Sequence, residues 1–335
     1  MILICFGTRP EYIKVKSLIE HLPNKKICFT GQHPDLLQDI QVDYKLHITP
    51  TASKNRLNEI VINILKHTNI FENIQYVLVQ GDTTTAFAIA ISAFHHNKKI
   101  IHLEAGLRTY NIEDPFPEEA NRQMISRLAQ IHLCPTESNK QNLLLEGIKE
   151  ANIFVVGNTG LDNIDRSNCI YENKVLITLH RRNNLPIMNR WFMTIEQIAI
   201  DHPEIEFILP IHPNPEIQKH KHILNHVTVI PPQSHTDLIE IMKKTKCIIS
   251  DSGGIQEEAS FLNKKVIICR ADTERPEVLE HHGILCKTPE ELPEIFEYVN
   301  TTYMVDERCP FGDGFAYKKI NTIIDTIYGA FNNLH

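Results

Sequence analysis

No stretch of this sequence approaches the ~18 uninterrupted apolar residues of a membrane span. The apolar start, Met1 to Phe6, breaks at Gly7-Thr8-Arg9-Pro10, short of the roughly 7 to 15 apolar residues of a signal-peptide core. A soluble, unprocessed chain with no membrane partner is expected. Cysteine occurs eight times but never as C-x-x-C, and Cys5, Cys28, Cys134, Cys247, Cys269 and Cys286 stand in or beside apolar runs. That pattern predicts buried thiols in a reducing compartment, the cytoplasm, rather than a disulfide framework. Positive charge is not in excess: 34 Lys+Arg against 41 Asp+Glu leave −7, which offers a polyanion no field and argues against a nucleic-acid partner. Internal repeats and low-complexity tracts are missing as well.

Several catalytic signatures are also missing. A nicotinamide site would need G-x-G-x-x-G and a later acid, and the first loop has one glycine. The 18 histidines include no H-x-x-x-H around an acid and join no Cys/His quartet, so no metal is expected. There is no G-x-S-x-G elbow. No cofactor is expected.

What is present is a βα rhythm that runs twice. At 335 residues the chain exceeds what one core normally organises, and 42% hydrophobic with 22% charged residues suits a globular enzyme. Short Ile/Val/Leu-rich runs predict strands at Ile2–Phe6, Lys26–Thr30, Tyr76–Gln80, Lys99–Leu103, Ile131–Cys134 and Ile153–Val156. A second set follows at Lys174–Leu179, Ile205–Ile211, Val227–Ile230, Lys246–Ser250, Lys265–Cys269 and Ile284–Cys286. The fold class predicted is α/β, with two doubly wound parallel-sheet domains. The boundary is expected within the polar segment Gly160–Asn173, giving domains 1–165 and 166–312. Residues from Phe315 to about Leu334 read as a closing helix, within a last segment 313–335.

In an open parallel sheet the ligand sits beyond the carboxyl ends of the strands, and the unusual residues of this sequence gather there. The first strand exits into Gly7-Thr8-Arg9-Pro10-Glu11, with Lys14 a turn later. The next exits are Gly31-Gln32-His33, Gly81-Asp82-Thr83-Thr84 and Glu104-Ala105-Gly106-Leu107-Arg108. Asp82 reads equally as a helix N-cap and as a catalytic acid. Glu104 follows an apolar run, so its carboxylate should be buried and need a partner. Glu118, Glu119 and Arg122 open a further helix. In the second half, His180 with Arg181 and Arg182, and His212, stand at two strand exits and suit a phosphate. Ser252-Gly253-Gly254 lets a diphosphate approach backbone N–H groups, Glu258 a turn on is suited to ribose hydroxyls, and Arg275 adds a cation.

Phe6-Gly-Thr-Arg-Pro-Glu11, Gly81-Asp-Thr-Thr84, Glu104-Ala-Gly-Leu-Arg108, Pro117-Glu-Glu-Ala-Asn-Arg122, Gly157-Asn-Thr159, His180-Arg-Arg182, Asp251-Ser-Gly-Gly-Ile-Gln-Glu-Glu258 and Thr273-Glu-Arg-Pro276 together resemble the non-hydrolysing UDP-N-acetylglucosamine 2-epimerases. The resemblance implies a GT-B architecture, with two Rossmann-like domains facing across a cleft and the last helix returning to the first domain. It implies that Asp82, Glu104, Glu118 and His180 are catalytic, with Arg9, Lys14, Arg108, Arg122, Arg181 and His212 beside them. It further implies that Gln233, Leu238, Ser252, Gly253, Gly254, Glu258 and Arg275 bind the nucleotide, and that Gln32 and His33 belong to a site for a second, activating UDP-sugar.

The partners implied are a UDP-amino sugar and a second copy of the chain in a homodimer. The activity implied is epimerisation at C2, by default UDP-GlcNAc to UDP-ManNAc. Leu179 and Asn183 depart from the family's usual glycine and acid, and Leu238 from its usual aromatic. Those departures leave open a 6-deoxy-L-hexosamine nucleotide such as UDP-N-acetyl-L-rhamnosamine. A hydrolysing 2-epimerase and a GT-B glycosyltransferase are the competing activities.

Overall fold

The computed structural model describes residues 1–33, 40–49, 51, 53–302, 305 and 308–332. The chain forms two compact units, Met1–Asn163 with Gly312–His335, and Ile164–Phe311. Each is a doubly wound parallel sheet, so the predicted fold class is the observed one.

The first unit has seven strands in the order β3-β2-β1-β4-β5-β6-β7. They are β1 (Ile2–Phe6), β2 (Lys25–Phe29), β3 (Tyr44–Lys45), β4 (Tyr76–Gln80), β5 (Lys99–Leu103), β6 (Ile131–Cys134) and β7 (Ile153–Val155). Helices α1 (Arg9–His21), α2 (Arg56–Leu65), α3 (Thr84–His95), α4 (Glu118–Leu128) and α5 (Glu137–Leu145) connect them. β1 and β4 are buried at every position, because a sheet covered on both faces needs continuous apolar runs. β3 is the strand that the sequence reading missed: two residues have no period to detect, and Tyr44–Lys45 is defined only by its pairing with Cys28 and Phe29.

The second unit repeats the plan with six strands in the order β10-β9-β8-β11-β12-β13. These are β8 (Lys174–Thr178), β9 (Glu206–Pro210), β10 (Thr228–Ile230), β11 (Cys247–Ser250), β12 (Lys265–Cys269) and β13 (Gly283–Cys286). Its helices are α6 (Met188–Asp201), α7 (Pro215–Gln218), α8 (His235–Lys244), α9 (Gly253–Phe261), α10 (Glu277–His281) and α11 (Leu292–Thr301). Trp191, Phe192, Phe207 and Phe296 fill one side of this sheet.

The last helix, α12 (Ala316–Asn332), packs on the first unit, with Ile320 and Ile324 in the same cluster as Ile2, Ile4 and Val15. The Asp162 carboxylate caps it, accepting the backbone N–H groups of Ala316 at 2.7 Å and Tyr317 at 2.9 Å. Asn333 and Leu334, included in the sequence expectation for this helix, lie outside the described residues. Among the described residues no helix is long and apolar enough to cross a membrane. All eight cysteines are free thiols, and the six expected to be buried are buried.

The two strand orders share one consequence. Connections diverge at β1/β4 in the first unit and at β8/β11 in the second, which opens a crevice at the carboxyl ends of those strands.

Candidate active site

In the first unit, three loops meet at the β1/β4 switch point. Thr8 caps α1 in a capping box with Glu11, whose buried carboxylate accepts the N–H groups of Gly7 at 2.8 Å and Thr8 at 2.7 Å. The other oxygen of Glu11 accepts Thr83 Oγ1 at 2.7 Å, which ties the β1 loop to the β4 loop. Burial raises the Glu11 pKa, against the hydrogen bonds that favour its charge.

Asp82 is not the helix cap. Thr83 is, accepting Ala86 N–H at 3.0 Å. Asp82 is left to pair with Arg122, Nη2 to Oδ2 at 2.5 Å, while its carbonyl accepts Asn121 Nδ2 at 2.9 Å. Gly81, just before it, has a carbonyl that accepts His102 Nε2–H at 2.8 Å.

Glu104 is mostly buried and partnered, as its position after an apolar run requires. Lys14 forms an ion pair with one oxygen and Gln80 donates to the other. Its backbone lies in the left-handed region at φ 64°, a conformation that costs an ordinary side chain of order 1–2 kcal/mol and that these partners help hold. Glu118 heads α4 one turn before Arg122, so the two share a helix face. Lys14–Glu104 and Arg122–Asp82 are thus two ion pairs that involve the residues following β5 and β4, Glu118 stands one helix turn before Arg122, and Arg9 is exposed at the start of α1. Gln32 and His33 meet the β1 loop and the start of α3: His33 N–H donates to Gly7 O at 3.0 Å, and Thr85 Oγ1 donates to Gln32.

Arg108 is turned into the fold. Its side chain is fully buried and reaches Glu146 at 2.6 and 2.9 Å, Ser126 at 2.9 Å and the Leu107 carbonyl at 2.6 Å. Glu119, which the sequence shows only as one of the acids opening α4, is buried and accepts Thr109 N–H at 3.0 Å, Tyr110 N–H at 3.2 Å and Arg122 Nη1 at 3.2 Å. A second acid in the Pro117–Arg122 motif was its only signal.

In the second unit the β8 and β11 exits are joined by Asp251. This fully buried carboxylate accepts the backbone N–H groups of His180 and Arg181 and Nδ2 of Asn184, at 2.9 to 3.1 Å. Asn184 also donates to Cys269 O at 3.0 Å and accepts Trp191 Nε1–H at 3.2 Å, so the loop is anchored to the core. The two histidines predicted at strand exits are brought together: the rings of His180 and His212 stack at 5.4 Å and 13°. Burial and the neighbouring His180 lower the His212 pKa. A pocket beside them is lined by Leu179, His180, His212, Pro213, Pro232, Gln233, Leu238 and Ile255. Gln233 donates its side chain to the Pro231 carbonyl at 2.7 Å.

Ser252 precedes α9 without a side-chain cap bond, and Gly253 begins the helix. A Cβ on Gly253 would lie 2.5 Å from Arg275 Nη1, so only glycine admits that guanidinium there. Arg275 is held by Glu257 at 2.5 Å and Glu274 at 2.6 Å, and Glu274 also meets Arg270 at 2.7 Å and Arg181 at 3.4 Å. Burial opposes the charge of Glu274, but the three arginines overcome it and hold the carboxyl well below its ordinary range. Glu258 is bonded to His235, which the sequence reading did not single out, at 2.8 Å.

A family model described as UDP-N-acetylglucosamine 2-epimerase matches residues 19–325. The UDP-N-acetylglucosamine 2-epimerase of Salmonella borreze is 38% identical over 95% of this chain and 96% of its own. That of Campylobacter jejuni is 40% identical over 83% of each. Among solved structures, the Neisseria meningitidis UDP-GlcNAc 2-epimerase bound to UDP-GlcNAc superposes with a TM-score of 0.84 at 34% identity, covering 97% of this chain and 99% of that one.

Proposed function

The chain belongs to the UDP-N-acetylglucosamine 2-epimerase family, an isomerase family of GT-B-like α/β fold, and from that premise we propose that it inverts C2 of UDP-N-acetylglucosamine to give UDP-N-acetylmannosamine without net hydrolysis. The observation that carries the reading is the set of carboxylates that follow β4 and β5 in the first unit, Asp82, Glu104 and Glu118, each beside a cation or on its helix face. An enzyme that only bound a nucleotide sugar would have no use for three acids there.

The chemistry explains the need. C2–H of the sugar has no adjacent carbonyl and is not acidic, so direct exchange would be too slow. If the C1–O bond breaks first, its electron pair leaves with UDP and the anomeric carbon becomes cationic, which acidifies C2–H. A carboxylate takes that proton, the C–H electrons form the C1=C2 bond, and a glycal stays bound beside UDP. Protonation of C2 on the opposite face and re-addition of UDP to C1 complete the inversion.

In this reading Asp82 or Glu118 moves the proton and Glu104 stabilises the cationic transition state. Lys14 and Arg122 hold Glu104 and Asp82 in place through their ion pairs. The second unit takes the leaving group: His180, Arg181, Arg275 and the N-terminus of α9 receive the diphosphate, while Gln233, Leu238 and Glu258 hold the nucleoside. Assembly as a homodimer belongs to the same proposal and would appear in sedimentation as twice 38.6 kDa.

The test is proton NMR of the enzyme with UDP-GlcNAc in D2O. One deuterium should enter at C2 of both sugars while free UDP stays substoichiometric. Stoichiometric UDP release would indicate hydrolysis, turnover of only a 6-deoxy-L-hexosamine nucleotide would move the substrate, and full retention of the C2 hydrogen would remove the elimination route.

A further inference from the structure

We infer that His235 is a positioning residue of the nucleotide pocket: by holding one oxygen of Glu258 it aims the other at the ribose diol of a uridine diphosphate, and so sets the preference for ribose over 2′-deoxyribose. The inference rests on the reading of the second unit as the part that holds UDP.

His235 opens α8 and Glu258 lies in the second turn of α9, and Nε2 to Oε1 is 2.8 Å. The side chains are only 24% and 15% exposed, so this pair is more sheltered than the usual surface bridge. Leu238, three residues after His235, and Ile255, three before Glu258, both line the pocket beside Gln233. Residues three apart on a helix share a face, so the pair stands one helix turn beyond the pocket-lining Leu238 and Ile255, at the pocket's edge.

A glutamate's last torsion is broad, and an unheld carboxylate would have to be ordered when a ligand arrives. The imidazole removes that freedom on one side. Glu258 Oε2 makes no hydrogen bond among the described residues, which leaves a fixed, charged acceptor for a sugar hydroxyl. Hydrogen bonds to a charged acceptor are stronger than neutral ones, and their strength depends on alignment.

The experiment is calorimetric titration of the full chain with UDP and with 2′-deoxy-UDP, for the wild type and the variants His235→Phe, His235→Gln and Glu258→Gln. The wild type should bind UDP about tenfold more tightly than the deoxy nucleotide, the order expected of one charged hydrogen bond. His235→Phe should bring the two within about twofold by weakening UDP alone, as should Glu258→Gln. His235→Gln, which keeps an N–H donor, should recover part of the preference. An unchanged preference in His235→Phe overturns the positioning role, and equal weakening of both nucleotides reduces His235 to packing and overturns it too. If the wild type binds neither nucleotide, the assignment of UDP to the second unit falls, and the inference with it.

Discussion

Arg108 reaches three different acceptor groups from a fully buried side chain, and Glu146, its main partner, is only 15% exposed. Removing one member of such a pair strands the other charge away from water. Arg108→Met should therefore destabilise the first unit by about 3–5 kcal/mol in urea denaturation, with residual activity tracking the folded fraction. Asp82 and Glu118 stand at the opposite extreme, since each is partly exposed. Asp82→Asn and Glu118→Gln should leave the fold intact, and at least one should lower solvent-deuterium incorporation at C2 by about 10²–10⁴-fold, the range of a lost general acid or base. Near-normal labelling in both would withdraw the proton-transfer role from these acids. His102 and His132, adjacent on β5 and β6, follow a third logic. Burial pushes His102 down to about 3 and His132 down to about 4. Below about pH 6.5 the unfolded chain takes up protons that the folded one refuses, so stability falls as pH falls, by about 1.4 kcal/mol per pH unit for each histidine at its steepest. Urea midpoints between pH 7 and pH 5 should show this slope, and His132→Gln should flatten it; an equal slope in the variant would assign the acid sensitivity elsewhere.

Helix α3 illustrates how an element's first turn serves the site. Its cap, Thr83, accepts from Ala86 N–H and donates to Glu11, so a single hydroxyl joins the α3 start to the α1 start. Thr83→Ala removes both bonds and leaves one oxygen of a buried carboxylate without its partner. The expected loss is about 1–2 kcal/mol in thermal or chemical unfolding, with Thr83→Ser close to wild type because it keeps the hydroxyl. Activity should fall beyond the loss of folded protein, since Asp82 is the preceding residue. Helix α9 depends on its first residue in another way. Gly253 is required there by the guanidinium of Arg275 against it; the paired glycines and the arginine are both visible in the sequence, but their contact is not.

Across the whole molecule, the chain leaves the first unit after Asn163 and re-enters it at Gly312. Ile320 and Ile324 of α12 are buried in the first unit's core, and burying such a side chain is worth about 1.5–3 kcal/mol. Truncation after Phe311 should therefore shift the unfolding of the first unit to lower urea and leave that of the second near its original midpoint; a uniform shift of both would show that α12 is not specific to the first. Much of this architecture was legible in advance. Strands buried on both faces must be continuous apolar runs, so Ile2–Phe6, Tyr76–Gln80, Lys99–Leu103, Ile131–Cys134 and Lys265–Cys269 could be read residue by residue. The candidate site was legible as a set of strand exits, because polar residues after a buried strand stand out by contrast. Sequence alone also determined the family, through the order of its motifs, and the presence of acids in one half and a glycine turn with a later acid in the other. Tertiary structure alone decided which charges meet. That Arg122 serves Asp82, that Arg108 is held by Glu146, that Asp251 holds His180 and that His235 reaches Glu258 depend on side chains 23 to 71 residues apart, brought together by strand order and loop geometry. A side chain's type is written locally, but its partner is set by packing over distances that no local pattern encodes.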